Sequence, residues 1–312
     1  MSFAKTVKEE LVTVPVTEIE KLAEFSAFLN LATEFHIENK KKMLDFKTNN
    51  PTVAKRFLQL VRSLYPSETV LLTKKQNRLN QRQSIIIRIQ SHVEEIINEH
   101  GFFENPVENQ ALITETPEGK KAFLRAAFLA GGSINHPKTA EYHLEIFSSS
   151  ADQIVFLQSI LIGFSLNAKI TRRRTGYICY LKDAEGISDT LQLMGAQNAQ
   201  FKFEDIRIKR DFNNSINRVM NCEIANEKKI LVAANDQVKD IALIERHYAI
   251  KQLDAKIKQI MELRKAHPEA SLKDMVDLFE STYGETISKS GINHRLMKIR
   301  QLADQIKEGN PS

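Results

Sequence analysis

The stretch "RAAFLAGGSINHP", residues 125–137, carries the pattern that decides the fold. Small and apolar residues lead into Gly131-Gly132, and the chain then turns at His136-Pro137. This pattern predicts the last turns of a helix packed closely against another helix, because small side chains let two helix backbones approach each other. In some proteins a metal-binding acid ends such a helix, so the glycines leave two interpretations: an enzyme that lost its acid, or a scaffold that never needed one.

Length and composition predict a globular protein of two or three domains. The chain has 312 residues, a formal net charge of +5 and a pI near 9.0, which favours a polyanionic partner. Cys179 and Cys222 are the only cysteines and no Cys/His cluster occurs, so we expect neither a zinc site nor a disulfide framework. The sequence contains no apolar run of membrane-spanning length, and "MSFAKTVKEELV" does not resemble a signal peptide. These features predict a cytoplasmic protein.

An internal repeat organises the chain up to about residue 212. A helix, a hairpin, a capped helix, two strands and a closing helix follow one another, and the same order recurs about 99 residues later. Thr33 and Tyr65 thereby correspond to Gly132 and Phe164. We therefore predict two tandem αββαββα units, residues 1–110 and 111–212, each with a short antiparallel sheet and helices on one face.

The pattern changes after the second repeat. Residues 213–248 contain no Pro or Gly and predict a connecting helix. Residues 249–312 predict an all-α module, in which Ser271 and Asp274 form a capping-box pattern and Ser288 can cap the last helix. A short helix, a turn containing glycine and a second capped helix are the outline of a helix-turn-helix.

The last helix carries the candidate DNA-contacting residues. In a helix-turn-helix the second helix enters the major groove, and its N-terminal residues reach base edges. A capped N-terminus also directs backbone N–H groups toward a phosphate. No acid occurs between residues 288 and 300, although a basic amphipathic helix that is merely solvated would show the same composition. The candidates are Ser288, Lys289, Ser290, Asn293, His294, Arg295 and Lys298.

Four segments resemble the WhiA family of bacterial regulators. They are "HPEASLKDM", "SKSGINHRLMKI", "NRVMNCEIAN" and "RAAFLAGGSIN". The resemblance spans most of the chain and is loosest over the N-terminal hundred residues. It implies a DNA-binding protein of the α+β class, with a saddle of the homing-endonuclease LAGLIDADG fold followed by an all-α helix-turn-helix domain. It also implies a role in sporulation in some Gram-positive bacteria and in cell division and chromosome segregation in others.

The same resemblance answers the question about the glycines. In nucleases of this fold each of two central helices ends in an acid that binds a divalent metal, and Mg²⁺ requires such hard oxygen ligands. The alignment places Gly131 at the second acid position and Ala32 or Thr33 at the first, while Glu34 is one or two residues away. We therefore expect no enzyme activity, no metal and no cofactor. The small residues remain as a packing device: Ala27, Ala32, Ala126, Ala127, Ala130 and Gly131.

Basic residues recur at corresponding hairpins of the two repeats, as a surface that follows phosphates would require. The other interpretation, equally open, is that they are solvated edge charges that prevent strand aggregation. These residues are Lys74, Lys75, Arg78, Arg82, Arg88, Lys169, Arg172, Arg173 and Arg174.

Together these observations predict a non-enzymatic, nucleoid-associated regulator that binds double-stranded DNA sequence-specifically. No membrane and no small-molecule substrate are expected, and proteins of division or transcription are further candidate partners. Two alternatives remain: a residual DNA endonuclease, and a division scaffold whose helix-turn-helix no longer binds DNA.

Overall fold

Both sequence repeats form the same order of helices and strands in the computed structural model, which describes residues 2–75, 83–247 and 253–309. The first repeat comprises α2 (Glu18–Ala32), β1 (Thr33–Glu38), β2 (Lys41–Thr48), α3 (Pro51–Leu64), β3 (Thr69–Lys75), β4 (Gln83–Ile89) and α4 (Val93–Glu99). The second comprises α6 (Pro117–Gly131), β5 (Gly132–Ile134), β6 (Leu144–Ser148), α7 (Ala151–Gly163), β7 (Lys169–Arg173), β8 (Gly176–Leu181) and α8 (Ala184–Met194). The predicted αββαββα order is confirmed in both.

The part of the chain that contains the two repeats has two further helices that the sequence did not predict. They are α1 (Phe3–Leu11), before the first repeat, and α5 (Pro106–Ile113), between the repeats. Phe3, Val7 and Leu11 recur every four residues on α1, and all three are buried. The first helix therefore belongs to the core of the repeat unit.

Each repeat contains one antiparallel four-stranded sheet with its second and fourth strands in the centre. The strand orders are β1-β2-β4-β3 and β5-β6-β8-β7. Because side chains alternate along a strand, Leu44 and Phe46 enter the core while Asp45 projects from the opposite face of the sheet. We call the side of each sheet without helices the open face; Asp45 lies on it in the first sheet and Glu145 in the second.

The two central helices, α2 and α6, pack against each other along most of their length. Thr17 caps α2 with a capping box completed by Glu20, and Thr116 caps α6 above Pro117. Ala27, Ala126 and Ala127 are fully buried, as the small-residue pattern predicts, whereas Ala32, Ala130 and Gly131 are half-buried. The fold of this unit therefore brings the C-terminal ends of α2 and α6 to the start of their sheets, at Thr33 and Gly132.

The helix after the repeats is longer than predicted. It is α9 (Gln197–His247), whereas the sequence placed a connecting helix at 213–248. Gly195, in a left-handed conformation with φ of 93°, ends α8, and no Pro or Gly interrupts the chain from there to the end of α9. The composition change near residue 212 predicts a helix start there, but this position lies inside an uninterrupted helix.

The chain divides into two compact units, Met1–Asp211 and Phe212–Ser312. The second unit contains the C-terminal part of α9 and three further helices, α10 (Ala255–Ala266), α11 (Leu272–Tyr283) and α12 (Lys289–Lys307). Ile241 and Ile244 of α9 lie in the same core as Met275 and Ile292. The helical module therefore includes the last turns of α9 and begins before residue 249, the start that the sequence predicts. Among the described helices none combines the length and the apolar character needed to cross a membrane.

Candidate nucleic-acid interface

Hydrogen bonds and a glycine fix the helix α11 and its neighbours. Ser271 and Asp274 form the predicted capping box, with Asp274 N donating to Ser271 Oγ at 3.2 Å. The backbone N–H of Ser271 donates to the Asp274 carboxylate and lowers its pKa. Gly284, with φ of 68°, ends α11 in the left-handed conformation that glycine adopts without strain. The Tyr283 hydroxyl donates to Gln259 O at 3.2 Å, which holds the end of α11 against α10.

A buried arginine holds the connection between α10 and α11. Arg264 is only 2% exposed, and its Nη1 donates to the backbone oxygen of Ala270 at 2.7 Å. Burial lowers the pKa of this guanidinium, which still keeps its charge because an arginine pKa starts so high. The first helix of the helix-turn-helix is therefore fixed at both ends.

Helix α12 buries one face and exposes the other. Ser288 caps it by accepting from Gly291 N at 3.1 Å, as predicted. Ile292, Leu296 and Ile299 are buried against the core of the second unit. Side chains on the opposite side are consequently left in solvent. The exposed predicted residues are Ser288, Lys289, Ser290, Asn293, His294 and Lys298.

Three of the predicted side chains have partners at the start of α12. Arg295 is half-buried, and its Nη1 donates to the backbone oxygen of Gly291 at 3.0 Å. The hydroxyls of Ser288 and Ser290 lie 3.0 Å apart. Asn293, His294 and Lys298 are exposed, as their predicted contacts to DNA require.

Helix α12 has an acid only near its C-terminal end. The first acid in the helix is Asp304, and it pairs with Lys307, which also binds Asp240. Glu285, in the turn before α12, is paired with Lys256 at 2.9 Å. The N-terminal half of the helix is therefore basic, and the carboxylate in the preceding turn is already neutralised.

Two further exposed residues were missed from the sequence. Met297 is 56% exposed and follows Asn293 by one helical turn, so the two share a side of α12. Its apolar end suits a thymine methyl group. Lys273 is exposed in the first turn of α11, the helix that crosses the DNA backbone in such modules. The spacing of one helical turn from Asn293 could have identified Met297. The position in the first turn after Ser271 could have identified Lys273.

On the open face of the first sheet, Arg88 and Lys47 are paired with acids. Arg88 donates to Asp45 at 2.9 and 3.0 Å and to Glu38 at 2.9 Å. These bonds raise the pKa of Arg88 and fix its charge among two carboxylates. Lys74 and Lys75 end β3, and Arg78 and Arg82 lie outside the described residues.

The second sheet mixes free and paired cations. Lys169 and Arg172 are exposed on β7, and Arg174 is exposed in the turn after it. Arg173 donates to Glu145 at 3.2 Å, and this carboxylate also bonds to His143 at 2.8 Å. Acids on neighbouring strands thus reach cations that are far from them in the sequence.

The C-terminal ends of α2 and α6 do not fit a divalent metal. A Cβ atom built on Gly131 would lie 2.5 Å from the backbone oxygen of Phe147, closer than such atoms come. Glu34 on β1 pairs with Lys47 on β2. The described residues contain no group of three or more His, Cys, Asp or Glu side chains that could hold a metal ion.

A lysine on α1 binds near the end of α6. Lys8 Nζ donates to the backbone oxygen of Leu129 at 3.0 Å, and burial lowers the pKa of Lys8 to about 8. A cation near a helix C-terminus is favourable because the last carbonyls carry partial negative charge. An ammonium group therefore lies close to the helix end where the resemblance places the acid of the nucleases and this chain has Gly131.

Three family models match consecutive parts of the chain. A "WhiA N-terminal LAGLIDADG-like domain" matches residues 18–103, a "WhiA LAGLIDADG-like domain" residues 120–213 and a "WhiA C-terminal HTH domain" residues 216–303. A relative from Lactobacillus johnsonii named "Probable cell division protein WhiA" is 42% identical, over 99% of this chain and 100% of that protein.

Two solved structures share the fold. Full-length DUF199/WhiA from Thermatoga maritima aligns with a TM-score of 0.60 at 23% identity, over 98% of this chain and 99% of that one. An N-terminal LAGLIDADG domain of DUF199/WhiA aligns with a TM-score of 0.52 at 24% identity, over 63% of this chain and 91% of that one. The predicted combination of a LAGLIDADG-like α+β domain with a helical helix-turn-helix region is thereby confirmed. From the three family models and the full-length relative, this chain belongs to the WhiA family.

Proposed function

We propose that this chain is a sequence-specific regulator that binds double-stranded DNA through α11 and α12. The observation that carries the proposal is the exposed N-terminal half of α12, where His294 and Lys298 lie opposite the buried core side and Asn293 lies on an exposed flank, with no acid among them. Asparagine and histidine can bond to base edges, and lysine adds attraction to phosphate.

The repeat domain is proposed to act without catalysis. At Gly131 a carboxylate side chain has no room, and Glu34, the acid next to the C-terminal end of α2, is paired with Lys47. A residual endonuclease is disfavoured for these reasons, and the proposal needs no metal or cofactor. The name of the Lactobacillus johnsonii relative supports a role in cell division. We place this role at the nucleoid in the cytoplasm because the proposed ligand is chromosomal DNA.

A second candidate function concerns the open face of the sheets. The pairing of Arg88 with Asp45 and Glu38, and of Arg173 with Glu145, favours a protein partner over a phosphate backbone on this face. Changing Arg172, Arg173 and Arg174 together to Ala separates the two. A phosphate contact predicts weaker DNA binding at low salt with unchanged sequence preference, whereas a protein-binding face predicts unchanged DNA binding.

Genome-wide mapping of bound sites, followed by titration of a mapped duplex over a range of salt concentrations, tests the main proposal. We expect one recurring sequence motif, with affinity that falls as salt rises. A variant in which Asn293, His294 and Lys298 are changed to Ala should no longer prefer this motif. Equal binding of this variant and the unchanged protein to every duplex would refute the proposal.

A further inference from the structure

The middle of α9 consists of exposed helix rich in asparagine. Residues 212–229 are all exposed, and they include five asparagines. Asparagine is a poor choice for a solvent-exposed helix position, because its side chain competes for backbone hydrogen bonds in non-helical conformations. Positions that break a local preference without a packing reason are expected at functional sites.

Three of these asparagines share one side of the helix with two cations. Starting at Asn214, residues three, four, seven and fourteen positions later recur on the same side, as helical spacing requires. We call this set the amide face. It consists of Asn214, Asn217, Arg218, Asn221 and Lys228.

The amide face is free of carboxylates and of internal partners. Glu223 and Glu227, the two acids between residues 212 and 229, project from the opposite side. Within the described residues, no carboxylate lies in ion-pair range of Arg218 or Lys228, and the three amide groups make no hydrogen bond to the chain. Ala225, small and on the same side, leaves room for close approach.

The composition of the amide face fits a nucleic acid better than a protein. Centres of protein interfaces are enriched in aromatic residues and depleted of lysine, whereas this side holds amides, cations and one alanine. Asparagine donates to phosphate oxygens and can pair with the edge of adenine, and Arg and Lys neutralise phosphates. From Asn214 to Lys228 the helix extends about 21 Å, the reach of several nucleotides.

We infer that the amide face of α9 is a second DNA-contacting surface, which binds the duplex next to the base pairs that α12 contacts. This inference rests on the proposed DNA-binding function. It assigns the long helix a role in affinity rather than that of a spacer alone.

The experiment measures binding of the full-length protein to a mapped duplex by fluorescence anisotropy over a range of salt concentrations. Changing Asn214, Asn217 and Asn221 together to Ala should weaken binding at least about tenfold, as lost polar contacts to DNA would. The melting temperature should stay equal or rise, because alanine favours the helix more than asparagine does. Merely structural asparagines would leave binding unchanged.

A matched control uses the same chemistry on other sides of the same helix. Asn213 and Asn226 flank the amide face without belonging to it, so changing both to Ala should alter affinity less than about twofold. Changing Arg218 and Lys228 to Ala should reduce the slope of log affinity against log salt by about two, since each phosphate contact contributes about 0.9. Equal losses in the control and amide-face variants would overturn the inference.

A variant of α12 keeps failure of the inference distinct from failure of the proposed function. If Asn293→Ala with Lys298→Ala abolishes site preference while the amide-face variants bind normally, the helix-turn-helix binds DNA and the amide face does not. If the unchanged protein binds no duplex at any salt concentration, both the proposed function and this inference fail.

Discussion

Arg125 on α6 donates from Nε to Glu24 Oε1 on α2 at 2.6 Å, so an ion pair joins the two sequence repeats in the interior. Arg56 on α3 binds the other oxygen of Glu24 at 2.9 Å. Glu24 is fully buried and Arg125 is 3% exposed. A carboxylate enclosed in this way depends on both guanidinium groups, because an unpaired buried charge is costly.

Arg125→Met is expected to lower the free energy of unfolding by about 3–5 kcal/mol, the cost of breaking a buried ion pair. Urea unfolding followed by far-ultraviolet circular dichroism measures the change. Lys209→Met, which removes an exposed partner of Asp205, serves as the control and should cost less than about 1 kcal/mol. Equal effects of the two substitutions would contradict this account of the repeat interface.

Asn293 and Lys298 should affect DNA binding differently. Asn293→Ala is expected to cost about 1–3 kcal/mol on the preferred sequence and to relax the preference, because an amide can bond to a base edge. Lys298→Ala should weaken binding to all duplexes alike and reduce the salt slope by about one. Competition titrations with matched and scrambled duplexes separate these effects. Gln305→Ala, near the other end of α12, should change neither, and a Lys298 variant with altered preference would reverse the assignment.

Gly131→Ala should destabilise the protein because its Cβ meets the Phe147 carbonyl oxygen at 2.5 Å. We expect a loss of about 1–3 kcal/mol, as for overpacked interiors. Gly163, at the end of α7, has nothing within 4 Å of an added Cβ, so Gly163→Ala should be neutral or stabilising by up to about 1 kcal/mol. Thermal unfolding compares the two variants.

Gly131→Asp should gain no DNA cleavage activity with Mg²⁺, because the added side chain has no room beside Phe147. Nicking of supercoiled plasmid by this variant would show that the site still accepts a metal.

His100 should make stability depend on pH in the acidic range. Burial lowers the pKa of His100 to about 4 from its usual 6.5, so between these values the unfolded chain binds a proton that the folded chain does not. Stability is then complete above pH 6.5 and falls as the pH drops, by about 2 kcal/mol at pH 5. The histidine contacts the Tyr65 hydroxyl at 2.9 Å.

Urea unfolding of the unchanged protein and of His100→Asn at pH 7 and pH 5 measures this contribution. The variant should be less stable at pH 7 but should lose about 2 kcal/mol less between the two pH values. His267→Asn, at an exposed position, should keep the pH dependence of the unchanged protein. An undiminished pH dependence in His100→Asn would assign the acid sensitivity to other groups.

Local features of the fold were predictable because their causes lie within a few residues. Ser271 and Asp274 form a capping box across three residues, and Ser288 caps α12 in the same way. The repeat was predictable because one order of elements occurs twice. The periodic Phe3, Val7 and Leu11 would also have predicted α1.

Features that depend on distant residues were not predictable. Arg88 belongs to an acid-free stretch of sequence, yet Asp45 and Glu38 come from strands 43 and 50 residues away. The start of α9 was missed because a change in composition is not a change in backbone conformation. The contact between Gly131 and Phe147 needed the register of β6. For α12, the buried side could be predicted, but the hydrogen bond from the Arg295 side chain to the backbone oxygen of Gly291 could not.

The approach of Phe147 to Gly131 also bears on how the repeat domain can evolve. An acid at this position would require β6 to withdraw before any metal could bind, so the first substitution would reduce stability with no catalytic gain. Two coordinated changes, one in the helix and one in the strand, would have to arise together. The geometry thus acts as an evolutionary ratchet, and new activities of this domain are more accessible through its surface residues than through recovery of cleavage.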